Sequence, residues 1–130
     1  MAELSAAGGR PRPAGGLELY TWLFMRVSGL ALLLLALGHL AIMHLIHSVE
    51  EINFAFVAAR WANPLWRVYD WFLLFLALVH GFNGVRVIVD DYVRAPGLRL
   101  LSLVGVYGLT LFFLVAGSLV ILTFQPMAGS

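Results

Sequence analysis

The charged residues of this 130-residue chain gather in short clusters, and three long apolar runs lie between them. From Val27 to Val49 no residue carries a fixed charge, and these 23 positions suffice to cross roughly 30 Å of hydrocarbon. The second run is shorter. Trp71 to Val85 gives only 15 uncharged residues, so a spanning helix there needs Asp70 at one interface and Arg86 near the other. After Arg99 nothing is charged, and the third run continues to Phe124 before Pro126 stops it. The pattern predicts three helices at about 19–47, 66–92 and 98–124. Between the first two, Glu50, Glu51 and Arg60 interrupt the apolar sequence and Pro64 blocks a continuous helix. Asn53 to Ala59 reads there as a short interfacial helix, with Trp61 and Trp66 in the aromatic belt. Between the second and third, VRAPGLR makes a tight turn.

The resulting expectation is an all-α integral membrane protein with its three-helix domain at 19–125. Residues 1–18 would form a flexible cytoplasmic tail, small, Gly/Pro-rich and without the apolar core of a signal peptide. Residues 126–130 would be a short C-terminal tail. With the N-terminus inside, Arg10, Arg12, Arg26, Arg86, Arg94 and Arg99 fall on the cytoplasmic side and only Arg60 and Arg67 outside, a positive-inside bias that fixes N-inside, C-outside. No internal repeat is visible. Gly81, Gly84, Gly105 and Gly108 offer small-residue helix contacts at GxxG spacing. The helices present many apolar faces and no self-sufficient core, so the chain reads as part of a larger, heteromeric bundle.

Composition sharpens this picture mainly by exclusion. Hydrophobic residues make up 62% and charged ones 12%, about half the charge of a soluble domain. A net charge of +1 gives no electrostatic footprint for nucleic acid. The absence of Cys excludes disulfides, thiolate metal sites and Cys-held iron–sulfur clusters on this chain.

Chemistry enters the membrane at one stretch, HGFNGVRVIVDDY, residues 80 to 92. At about 100° per residue, His80, Gly84, Val87 and Asp91 share one stripe of a helix. His80 stands 12 residues before Tyr92, about 18 Å along the axis, and so near mid-membrane. His39 lies 19 residues after Tyr20, about 28 Å in, and so in the outer half. The two are at different levels and suit two stacked sites better than one metal. His44 and His47 fall near the outer surface, where solvation accounts for them. An ionisable group inside a membrane is a functional candidate by default, although a histidine at depth also serves simply to bond across helices to a carbonyl or a serine. Asp90 and Asp91 read equally as solvated helix-end acids, Asp90 pairing with Arg86 at i, i+4, and Tyr92 as an interfacial anchor.

Taken together, these residues resemble the small, cytochrome b-type anchor subunit of succinate:quinone oxidoreductase, that is, of succinate dehydrogenase (respiratory complex II). That family places a haem-ligand His, a Gly four residues on, and Asp-Tyr eleven and twelve residues on; here these are His80, Gly84, Asp91 and Tyr92. Arg26, Ser28 and Gly29 resemble the Arg-x-Ser-Gly opening of anchor subunits, and GHL at 38–40 is similar to first-helix histidines of two-haem anchors. The family's sister anchor, the other of the two membrane subunits, shares part of the pattern but usually ends in Asp-Phe. The resemblance implies that His80 is an axial ligand of haem b, with the second histidine supplied by the sister anchor. It implies that Arg26 meets haem propionates, and that Tyr92, oriented by Asp91, hydrogen-bonds ubiquinone or menaquinone at the cytoplasmic side. His39 stands as the candidate ligand of a second haem, the family containing members with two haems, one or none. A quinone-contacting Ser one turn before the Arg, known in the sister anchor, has Trp22 near its place here and is not carried over. The implied partners are the sister anchor, an iron–sulfur subunit and a flavoprotein subunit, in the inner cytoplasmic membrane, with succinate chemistry on the soluble subunits. A fumarate reductase anchor is the related reading. A haem-less structural or transport subunit is the reading from a different class.

Overall fold

Proline decides where two of the long helices begin. It has no N–H to donate and its φ is already near helical, so it suits the first helical position and disrupts interior ones. Pro64 opens a helix that runs to Tyr92, and Pro96 opens one that runs to Thr123. Both begin two residues ahead of the starts expected at 66 and 98. The computed structural model describes residues 16–125. Among these it contains four α-helices and no strand: α1 Leu17–Ala41, α2 Phe54–Ala62, α3 Pro64–Tyr92 and α4 Pro96–Thr123. A wider, π-helical turn at Ile42–Ile46 prolongs α1, and a 3-10 turn at Val49–Glu51 precedes α2. The expected N-terminal tail lies outside the described residues as far as residue 15, with α1 already begun at Leu17; Pro126 and the C-terminal tail lie outside them too.

Side chains set the remaining boundaries. Asn53 caps α2 by accepting from the Phe56 amide at 3.0 Å, and Asn63 caps α3 by accepting from the Leu65 amide at 2.9 Å. Each cap satisfies one amide that the first helical turn leaves without a carbonyl. The short helix predicted from residue 53 is therefore present as α2, and Asn63 with Pro64 separates it from α3.

Three segments are long and apolar enough to cross a bilayer: Leu19–Ile46, Pro64–Tyr92 and Pro96–Thr123, of 28, 29 and 28 residues. At 1.5 Å per residue each extends about 42 Å, more than a hydrocarbon core of roughly 30 Å, so both ends reach the headgroup layers.

Helix α3 is the middle of the molecule, with α1 and α4 packed on it rather than on each other. Both pairs are antiparallel and in register. On one side His80 meets Ser28 and Gly29, and about ten residues back Tyr69 and Asp70 meet Gly38 and His39. On the other, Trp71, Phe82 and Asp90 meet Ser118, Tyr107 and Arg99 in turn. Lipid is as apolar as leucine, so close packing and polar bonds between helices hold such a layer. Trp71 Nε1 donates to Ser118 Oγ at 2.9 Å, and the Tyr69 hydroxyl donates to the Leu35 carbonyl. Arg67 closes the far end of α4: its Nη2 donates to the Phe124 carbonyl at 2.7 Å and its Nη1 to that of Leu122 at 3.3 Å. Those carbonyls belong to the helix terminus, where a cation is favoured.

The glycines correct one expectation. A Cβ at Gly81, Gly84, Gly105 or Gly108 would meet nothing within 4 Å, so the GxxG pairs make no contact inside this chain. The close approaches are elsewhere. A Cβ at Gly117 would stand 2.6 Å from Leu74 Cδ2, and one at Gly38 would stand 3.1 Å from the Tyr69 hydroxyl. Among the described residues only Ser28, Ala58, Val89 and Ile121 are buried. The layer has no core of its own, as its apolar faces suggested.

Candidate functional site

The most buried described residue is polar. Ser28, on α1, is 2% exposed, and its Oγ lies 2.8 Å from His80 Nδ1 on α3. The same oxygen lies 3.4 Å from the carbonyl of Met25, one turn back. Gly29 completes the contact, since a Cβ there would stand 3.3 Å from His80 Cε1. The imidazole thus meets α1 through its Nδ1–Cε1 edge, and a larger residue than glycine would push it away. Its Nε2 has no hydrogen-bond partner among the described residues. The cross-helix bond to serine expected of a purely structural histidine is present. It occupies only one of the two ring nitrogens.

Beyond His80, Gly84 follows one turn on along the same face with open space where a Cβ would be. Asp91 and Tyr92 end the helix exposed, Tyr92 at 79%. They stand about 16–18 Å along α3 from His80, at the edge of the apolar span. Asp90 does not pair with Arg86. It accepts from Arg99 Nη2 at 2.6 Å and Nε at 2.9 Å, which ties the end of α3 to the start of α4. The Arg86 Nε is left buried without a hydrogen bond. Arg26, two residues before Ser28, sits on another side of α1. Its guanidinium lies 4.4 Å from the centre of the Trp22 ring.

A second polar cluster occupies the opposite end, and sequence reasoning saw only parts of it. Asp70 accepts from Arg60 Nη2 at 2.9 Å and from Trp61 Nε1 at 2.8 Å. The Arg60 and Asp70 side chains are 7% and 12% exposed, so the pair is enclosed by the protein. Arg60 also lies over Trp66, 4.3 Å from the ring centre. His39 joins from α1, its Nδ1 buried and 3.6 Å from Asp70 Oδ1, its ring parallel to Tyr69. His39 and His80 are held by different residues at levels about 15 Å apart. His47 stands 3.5 Å from Glu51 with its ring against Phe56, and His44 is exposed. No group of three or more His, Cys, Asp and Glu among the described residues converges on a common metal position. The signals available for these partners were Asp70, an acid at the edge of an apolar run, and Ser28, a named motif residue without an assigned task.

Residues 9–123 match the family described as succinate dehydrogenase/fumarate reductase transmembrane subunit. A succinate dehydrogenase hydrophobic membrane anchor subunit from Archaeoglobus fulgidus is 32% identical over 75 residues, 58% of this chain. The match spans 63% of that relative's length.

Proposed function

Because the chain belongs to the family of succinate dehydrogenase/fumarate reductase transmembrane subunits, we propose that it is a membrane anchor, of the small cytochrome b type, that holds haem b and quinone. It carries no succinate chemistry. Electrons from succinate would arrive through a flavoprotein and an iron–sulfur subunit and leave in quinone within the cytoplasmic membrane, the N-terminus lying inside. A bound haem b with two histidine ligands supplies one-electron transfer with no open position for oxygen.

The haem reading is carried by the state of His80. Its Nδ1 is satisfied on α1, its Nε2 is not engaged, and Gly84 on the same face leaves room for a flat ring system. A chain with one such histidine provides one axial ligand, so a sister anchor supplies the other. Arg26 is the cation two residues from Ser28 assigned to the propionates, which requires it to leave Trp22. His39 is the residue a second, outer haem would use, and the haem count per complex decides whether it does.

Tyr92 and Asp91 are the quinone residues. An exposed phenol at the membrane edge can donate a hydrogen bond to a quinone carbonyl oxygen, and the adjacent carboxylate can orient it and pass a proton from the aqueous side. The family includes fumarate reductase anchors, in which the same parts run in the opposite direction.

The test is the visible spectrum of the purified complex. Reduced haem b bands are expected in the native complex and lost in His80→Ala, with the four subunits still co-purifying. Bands that persist in His80→Ala, or are absent from the native complex, overturn the haem assignment.

A further inference from the structure

We propose that Ser28 is the positioning residue for His80: it fixes the imidazole tautomer and presents Nε2, not Nδ1, to the haem iron. The proposal rests on the haem reading above and extends it to a residue on a different helix. Its ground is a count of protons. The serine hydroxyl has one hydrogen and can accept as well as donate. Ser28 Oγ has two neighbours, the Met25 carbonyl at 3.4 Å and His80 Nδ1 at 2.8 Å. A carbonyl can only accept. If the hydroxyl donates to Met25, it must accept from an Nδ1–H, and the neutral ring then keeps its lone pair on Nε2. If it donates to Nδ1 instead, the ring proton moves to Nε2, where no described residue accepts it. An unpaired donor inside a bilayer is costly, because no water is present to take its place. The first arrangement leaves every hydrogen of the trio paired and gives the lone pair that iron requires.

Two further observations fit this role. Ser28 is almost wholly buried, so water does not compete for Nδ1. Gly29 lets the ring close on α1, and a side chain in its place would press on Cε1. A hydrogen-bonded Nδ1–H makes the imidazole a better electron donor through Nε2, and donor strength at an axial ligand favours the oxidised iron. Ser28 would therefore lower the midpoint potential of the haem as well as orient its ligand.

The experiment uses the whole complex with native chain, Ser28→Ala, Ser28→Cys, Ser28→Thr and His80→Ala. Haem content, the midpoint potential and the low-spin electron paramagnetic resonance spectrum are read for each. Ser28→Ala is expected to move the potential upward, change the resonance positions and weaken haem retention by about ten- to a hundredfold. Ser28→Thr should restore all three, since only the hydroxyl matters. Ser28→Cys keeps the side-chain volume with a weak acceptor and is expected to shift the potential the same way, by less; it decides the matter should Ser28→Ala fail to assemble. Unshifted potentials and unchanged resonances in Ser28→Ala, or in Ser28→Cys where only that variant assembles, overturn the proposal while leaving the haem reading intact. Such a result makes the bond a helix contact alone. Haem retained in His80→Ala overturns both.

Discussion

A histidine has two nitrogens, and at this scale the consequence lies in their being treated differently. His80 Nδ1 is held by Ser28, and Nε2 has no hydrogen-bond partner among the described residues. Structural and functional readings of an intramembrane histidine therefore coexist in one side chain. Asp70 shows the contrary case. Its carboxylate is taken up by Arg60 and Trp61, and it needs no external ligand. Tyr92 resembles the free nitrogen of His80 more than it resembles Asp70, because it ends its helix exposed. Loss of one neutral hydrogen bond costs about 0.5–1.5 kcal/mol, so Tyr92→Phe should lower kcat/KM for quinone reduction roughly two- to tenfold. Steady-state assays with a soluble quinone analogue check this, and an unchanged value with normal assembly removes Tyr92 from the quinone site. The sequence pointed to His80 and Tyr92 because an imidazole at depth and a Tyr after two acids are conspicuous. It could not show Ser28 as the partner, because nothing local to residue 28 indicates which residue of another helix faces it.

The elements differ in how tightly they meet. At Gly117 the backbone of α4 comes so near α3 that Leu74 occupies the space of the missing Cβ. Replacing Gly by Ala gains about 0.8–1 kcal/mol of helix propensity, whereas overpacking costs about 1–3 kcal/mol, so a bulkier branched residue should lose clearly. Gly117→Val is expected to destabilise the complex by about 1–3 kcal/mol, and Leu74→Ala on that background to recover part of it. Thermal inactivation in detergent reads both; equal stability of Gly117→Val and the native protein contradicts the tight contact. The GxxG spacing pointed to other glycines, and the reason is general. Spacing marks which positions are small, but only the rotation of each helix about its own axis says which small positions face a neighbour. At Gly81, Gly84, Gly105 and Gly108 that rotation faces away from the rest of the chain. At the helix ends the physical cause is local: Asn53, Asn63, Pro64 and Pro96 set the boundaries, and the two prolines start their helices two residues ahead of the expected 66 and 98.

Over the whole molecule, an odd number of spans places residues 16 and 125 on opposite faces of the membrane. The arginine distribution predicts that the Tyr92 end lies inside. A reporter active only outside the cell, fused behind Ser130, is therefore expected to be active, and one fused before the first span inactive; the reverse pattern refutes the orientation. Such a three-helix layer, central α3 flanked by α1 and α4 with almost nothing buried, depends on its surroundings to cover it. The sequence alone determined the all-α membrane class, the three spans and the short helix between the first two. Each follows from distances measured along one chain in a solvent of fixed thickness. Only the tertiary structure decided that Ser28 holds His80, that Asp90 pairs with Arg99 and not Arg86, and that Asp70 is enclosed with Arg60. These are contacts between helices. They depend on register and rotation, which apolar periodicity leaves free when lipid and protein present the same apolar face.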